Sequence, residues 1–258
     1  MNVIALGTLG GMATALATFI GALPVLFANP ASERYSNAML GFAAGVMISA
    51  SYLSLIVPAA DIAQANGHGS GFAAFIVALA VVAGAATLDL LRRWDPVAAP
   101  AIGNGTASAE RRRRVWLLLL AMTAHNFPEG AAVGVSFGSG DLKIGLGTTI
   151  GIGIQNLPEG LAVAASLLTV GTRRWTAVLI GGATGLAEPV GALVGVTLVS
   201  AVEGLLPAGM GWAAGAMLYI CASELIPAVH RDKGDAGLAI WSTMGGIVLM
   251  LLLDIGLG

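Results

Sequence analysis

The chain has 258 residues, of which 57% are hydrophobic and only 10% charged, and its mean hydropathy is +0.86. An ordinary soluble domain is about one quarter charged, so this composition belongs to a protein dissolved in lipid, where the 37 glycines suit helices that pack backbone against backbone. A net charge of −2 gives no pull toward nucleic acid, and a single cysteine, Cys221, excludes an intrachain disulfide framework.

A helix needs roughly 20 mostly apolar residues to cross about 30 Å of hydrocarbon. Eight stretches qualify, at approximately 3–27, 37–58, 72–91, 115–137, 142–169, 175–200, 207–229 and 238–257. The first has no basic residue before it and is too long for the apolar part of a secretory signal, so it reads as a span. Nowhere does the sequence show the polar/apolar alternation of a membrane barrel, so every backbone group must be satisfied within helices. The expectation is an all-α polytopic membrane protein of eight transmembrane helices. It forms one domain over residues 1–258, with a flexible loop at about 92–114 that holds Pro96, Pro100, Gly103 and Gly105.

The basic residues sort by loop parity. Arg34, Arg92, Arg93, Arg111 to Arg114, Arg173, Arg174, Arg231 and Lys233 follow odd-numbered spans, and only Lys143 falls on the other side. The positive-inside rule then puts both termini outside the cytoplasm. The outer side carries Asp61, Asp141, Glu203 and Asp254 instead, a mildly acidic face suited to collecting cations.

Compared with itself, the chain repeats. Ala15–Leu23 aligns with Gly185–Leu193 at an offset of 170, and the same offset aligns Gly41–Met47 with Gly211–Met217. Spans 1 to 3 thus correspond to spans 6 to 8, and a displacement by five helices reverses direction in the membrane. Spans 4 and 5 form a second pair, since Asn126-Phe127-Pro128-Glu129-Gly130 returns thirty residues later as Asn156-Leu157-Pro158-Glu159-Gly160. The expected layout is a 3+2+3 inverted repeat, which places a binding site where the repeats meet.

Within span 4, His125, Asn126 and Glu129 are separated by three and four residues and share one helix face. Gln155, Asn156 and Glu159 repeat that face in span 5, and span 6 adds Glu188 before Pro189. Pro128 and Pro158 lack an N–H and are expected to kink their helices, freeing the carbonyls of Ala124 and Ile154. Each mid-membrane carboxylate costs about 2.5 to 3.5 kcal/mol by insertion scales, and apart from Lys143 at the very start of span 5 no Lys or Arg lies inside any span. The compensating charge must arrive as protons or a metal ion. One imidazole with several carboxylate and amide oxygens suits Zn(II), Fe(II), Mn(II) or Cd(II), and the lack of thiolates argues against Cu(I). Two glutamates from antiparallel helices make a binuclear site plausible. Glu224 before Pro227 reads equally as packing or as a proton relay, Asp89 and Asp254 as span-end solvated groups, and His68 and His230 as loop residues.

These residues resemble the prokaryotic branch of the ZIP (Zrt/Irt-like protein) divalent-metal transporters, through paired H-N-x-P-E-G and Q-N-x-P-E-G motifs in consecutive spans followed by Glu188-Pro189. The resemblance implies a homodimer in the bacterial inner (plasma) membrane that carries zinc, or cadmium, iron(II) or manganese, into the cytoplasm through a binuclear centre, with no separate cofactor. It places His125, Glu129, Gln155 and Glu159 at one ion with Met47 near it, and Asn126, Glu129, Asn156, Glu159 and Glu188 around the second. It further suggests that spans 1, 4, 5 and 6 move as a unit. Where some relatives have aspartate this chain has Asn156, and where many have a His-rich loop after span 3 it has arginines. The competing readings are a metal-dependent intramembrane hydrolase, which commonly needs an H-E-x-x-H pair absent here, and a proton-coupled carrier of organic solutes. With no phosphate-binding loop present, ATP drive is not expected.

Overall fold

The computed structural model describes residues 2–27, 33–93, 108–202, 204–229 and 236–257. Among these the regular structure is helical: α1 (Val3–Ala22), α2 (Glu33–Ala50), α3 (Val57–Ala65), α4 (Ser70–Arg93), α5 (Ala109–Gly138), α6 (Leu142–Leu168), α7 (Arg174–Ala183), α8 (Ala187–Ala201), α9 (Leu205–Ile220), α10 (Ile226–Val229) and α11 (Ala236–Leu257). The starts of α1, α5 and α6 are capped by side chains. Asn2 accepts from the Ile4 amide at 3.0 Å, Ser108 from Arg111 at 3.2 Å, and Asp141 from Lys143 at 2.8 Å.

Six helical runs are long and apolar enough to cross a membrane: Val3–Leu26, Ala38–Ala65, Ser70–Leu90, Arg174–Ala201, Leu205–Ser223 and Gly237–Gly256. The other two long helices, α5 and α6, have 30 and 27 residues, about 45 and 40 Å of rise. They fall below the same apolarity because they carry the polar motif residues and, in α5, the arginine run. The second run extends to Ala65, so Asp61 sits on helix α3. Residues 109–114 are the first turns of α5, while the remainder of the expected loop at 94–107, together with Glu203, His230, Arg231 and Lys233, lies outside the described residues.

Four of the long runs are interrupted, and proline is next to each interruption. Short 3-10 turns occupy Leu23–Leu26, around Pro24, and Thr184–Leu186, three residues before Pro189. Wider π turns occupy Ser51–Ile56 and Cys221–Leu225, and Pro58 and Pro227 stand just beyond them. A proline lacks the N–H for its i−4 carbonyl and pushes against it, and the wider turn absorbs that clash. By contrast, α5 and α6 run unbroken through Pro128 and Pro158.

The molecule is turned inside out relative to a soluble protein. Large apolar side chains such as Phe27, Leu90, Trp241 and Ile255 are more than 70% exposed, while three glutamates are fully buried. The most extensively packed pairs are α5 with α8, α1 with α6, α2 with α11 and α4 with α9. Helices α1, α5, α6, α7 and α8 form one group and α2, α3, α4, α9 and α11 another, joined mainly along α2 with α6 and α5 with α9.

Candidate metal centre

Helices α5 and α6 are joined by the short link Ser139–Asp141, in which Gly140 takes a positive φ of 79° that suits glycine. The two helices therefore run antiparallel and bring their middles together. The buried hydroxyls of Ser136 and Thr148 meet at 3.0 Å near the link. Deeper in, Asn126, Glu129, Gln155, Asn156 and Glu159 are each at most 1% exposed, and Glu188 of α8 is completely buried beside them. The glycine after each motif glutamate explains the approach of the flanking helices. A methyl group on Gly130 would collide with the Glu188 backbone, and one on Gly160 with the Thr18 backbone of α1. The centre thus has four walls: α1, α5, α6 and α8.

Hydrogen bonds tie these walls together. Gln155 Nε2 of α6 donates to Glu129 Oε1 of α5. Asn156 Nδ2 donates to Glu188 Oε2 at 2.9 Å and to the Thr14 carbonyl of α1 at 3.1 Å. Thr18 Oγ1 donates to Glu188 Oε1 at 3.0 Å. Gln155 and Asn156 therefore turn their NH2 groups toward carboxylates, and their oxygens are left over. Among the described residues, Gln155 Oε1, Asn156 Oδ1 and Asn126 Nδ2 are buried without a hydrogen-bond partner. Buried polar atoms are nearly always satisfied, so these amide oxygens with open lone pairs beside buried carboxylates are donor atoms that an electron-pair acceptor could take up.

The other residues singled out by sequence fall as follows. Glu159 is buried one turn after Gln155 on the same face of α6. Met47 is buried in the cluster that includes Ala132 and Val133 of α5 and Ile152 of α6, and its carbonyl accepts from Ser51 at 2.7 Å. His125 lies on α5, but its side chain, like that of Glu224, lies outside the described residues. Asp89 accepts from Tyr219 at 2.7 Å and pairs with Arg93 at 2.7 Å, so it clamps α4 to α9. Asp141 and Asp254 line a cavity of about 160 Å³ with Ser54 and Lys143. His68 is exposed and packs edge-on to Phe72. The Cys221 thiol is buried and faces the Ala44 carbonyl at 3.9 Å. Among the described residues no three His, Cys, Asp or Glu side chains form a ready-made metal cage.

Thr14 and Thr18 are the residues the motif search did not bring forward. A signal was available, since the offset of 170 that aligns the repeats puts Thr18 opposite Glu188, the pair that is hydrogen bonded.

Sequence comparison places this arrangement among known proteins. The profile of the ZIP zinc transporter family matches residues 99–254. The chain is similar to the zinc transporter ZIPB of Bordetella bronchiseptica, with 44% identity covering 97% of this chain and 81% of that protein. It is 38% identical to the zinc transporter GufA of Myxococcus xanthus, covering 98% and 99% of the two chains. The human zinc transporter ZIP11 is 32% identical, covering 93% and 94%.

Proposed function

The chain belongs to the ZIP family of zinc transporters, and on that premise we propose that it moves zinc and related divalent ions across a membrane, with the buried carboxylate–amide centre as the place where the ion sits in transit. It is a carrier rather than an enzyme, and the ion is its cargo. The observation that carries the reading is the orientation of the two amides. Gln155 and Asn156 direct their NH2 groups to Glu129 and Glu188, and this leaves their oxygens buried and unpartnered.

An arriving cation supplies the positive charge that those carboxylates lack. Amide oxygens, carboxylates and the single imidazole of His125 make a borderline donor set, which fits zinc first and cadmium, iron(II) or manganese after it. The proposed ligands are His125, Glu129, Gln155 and Glu159 for one ion, with Met47 nearby, and Asn126, Glu129, Asn156, Glu159 and Glu188 for a second. With no Lys or Arg near the middle of the spans, the ion's own charge offsets the carboxylates. At about 2.3 kcal/mol per elementary charge per 100 mV, a negative-inside potential favours inward movement of a divalent ion by about 4.6 kcal/mol.

Paired contacts support eight spans in a 3+2+3 inverted arrangement. Gly130 against the Glu188 carbonyl is mirrored by Gly160 against that of Thr18, and Gly191 against Phe127 by Gly21 against Leu157. In the other group of helices, Gly45 against Thr243 is mirrored by Gly215 against Val81, and Gly246 against Phe42 by Gly84 against Trp212. The two π turns, at Ser51–Ile56 and Cys221–Leu225, fall at matching positions too. The division into two helix groups agrees with the first moving against the second. Loop basicity speaks for outward termini in a bacterial inner membrane, and the family resemblance for a homodimer.

The test is zinc uptake into proteoliposomes carrying the intact chain, with cadmium, manganese and iron(II) as competitors. Saturable uptake that the competitors inhibit is the expected result. A chain that inserts and folds but moves no divalent ion overturns the proposal and favours a carrier of organic solutes or a hydrolase.

A further inference from the structure

Four hydrogen-bonding groups on three helices close a ring around Glu188. Thr18 Oγ1 has one proton and two acceptors in reach, Glu188 Oε1 at 3.0 Å and the Thr14 carbonyl at 3.4 Å. The shorter contact takes it. The Thr14 carbonyl instead receives Asn156 Nδ2 at 3.1 Å, and the same amide nitrogen reaches Glu188 Oε2 at 2.9 Å. Thr14 and Thr18 are one turn apart on α1, so the ring runs from α1 to α8 to α6 and back to α1. All four residues are at most 2% exposed.

We propose that Thr18 is a positioning residue that sets the metal affinity of the Glu188 side of the centre. The inference rests on the reading that this cluster holds the transported ion. Glu188 Oε1 is held by Thr18 of α1 and Oε2 by Asn156 of α6, with the Thr14 side chain also against the carboxylate, which together fix its plane. Both Asn156 N–H groups have acceptors, which fixes where its Oδ1 points. An ion then meets ligands already ordered, and the ordering cost that accompanies binding is reduced. Removing the Thr18 hydroxyl frees Glu188 to rotate and leaves one of its buried oxygens without that donor. Outer-shell partners of metal ligands contribute on the order of 10- to 100-fold in affinity. The alignment of Thr18 with Glu188 across the repeat gives the position its asymmetry: one half supplies the carboxylate, the other the hydroxyl that aims it.

The experiment is calorimetric zinc titration of the purified full chain, paired with zinc uptake, for Thr18→Val, Thr18→Ser and Glu188→Gln. Valine keeps the shape and removes the hydroxyl, whereas serine keeps the hydroxyl. Thr18→Val is expected to weaken zinc binding and raise the KM for uptake about 10-fold while Vmax stays within about twofold, and Thr18→Ser to restore both. A purely structural role would lower yield, melting temperature and Vmax without serine rescue, and that pattern overturns the proposal. Should the valine variant not fold, Thr18→Ala compared with Thr18→Ser asks the same question of the hydroxyl. If Thr18→Val titrates like the intact chain while Glu188→Gln does not, the proposal fails and the centre stands. If Glu188→Gln also titrates unchanged, the assignment of Glu188 to the centre fails first.

Discussion

Replacing Gly130 by alanine puts a methyl group where the backbone of Glu188 already lies. The new Cβ would sit 2.6 Å from both the Cα and the carbonyl carbon of Glu188, against about 3.5 to 4.0 Å for ordinary carbon contacts. Helices α5 and α8 must then part by roughly 1 Å. Overpacking a core costs about 1 to 3 kcal/mol, and since the obstacle is backbone rather than a mobile side-chain end, the upper part of that range applies. The functional loss is larger, because the displaced backbone carries Glu188 and the displacing residue follows Glu129. A misplacement of about 1 Å in reacting groups is worth on the order of 100-fold. Thermal unfolding in detergent and zinc uptake in proteoliposomes measure the two effects, with Gly245→Ala as the comparison. Gly245 is helical with nothing within 4 Å of its would-be Cβ, so alanine there leaves stability unchanged or raises it by about 0.5 to 1 kcal/mol. A Gly130→Ala chain that melts and transports like the intact protein would refute the packing argument.

Gln155→Leu removes both the donor to Glu129 and the open oxygen Oε1, and zinc affinity should fall at least about 10-fold; an unchanged titration detaches Gln155 from the ion. Asn156→Asp deletes the donors to Glu188 and to the Thr14 carbonyl and sets one carboxylate against another. Without metal the variant should unfold at a lower temperature than the intact chain, and saturating zinc should raise its midpoint by more than it raises that of the intact chain. Equal midpoints without metal would contradict the hydrogen-bond pattern.

The spans and the centre differ in how much of them the sequence reveals. Helical runs declare themselves through 20-residue apolar stretches, and mid-membrane glutamates through the cost of burying charge, so Glu129, Glu159 and Glu188 stand out without coordinates. Thr14 and Thr18 do not, because a hydroxyl in a membrane helix satisfies itself on a carbonyl one turn back, as Thr8 does on Ile4 at 2.8 Å, and so raises no alarm. The prolines differ in their local effect. Pro128 and Pro158 are absorbed by continuous helices, whereas Pro58 and Pro227 coincide with π turns. Whether a helix bends or widens depends on what packs against the freed carbonyl, which is a property of the neighbours rather than of the local sequence. Span limits shift for a similar reason: Val57–Ala65 continues the second run as α3 past Pro58, and the caps at Ser108 and Asp141 fix helix starts that hydropathy averages blur.

The most direct measurement is zinc flux into proteoliposomes for the intact chain and for Glu129→Ala/Glu159→Ala, with the melting temperature and membrane insertion of both recorded. The account predicts saturable uptake by the intact chain and its loss in a double variant that still inserts and folds. Normal flux through that variant would contradict the claim that the ion passes through the centre between α5 and α6.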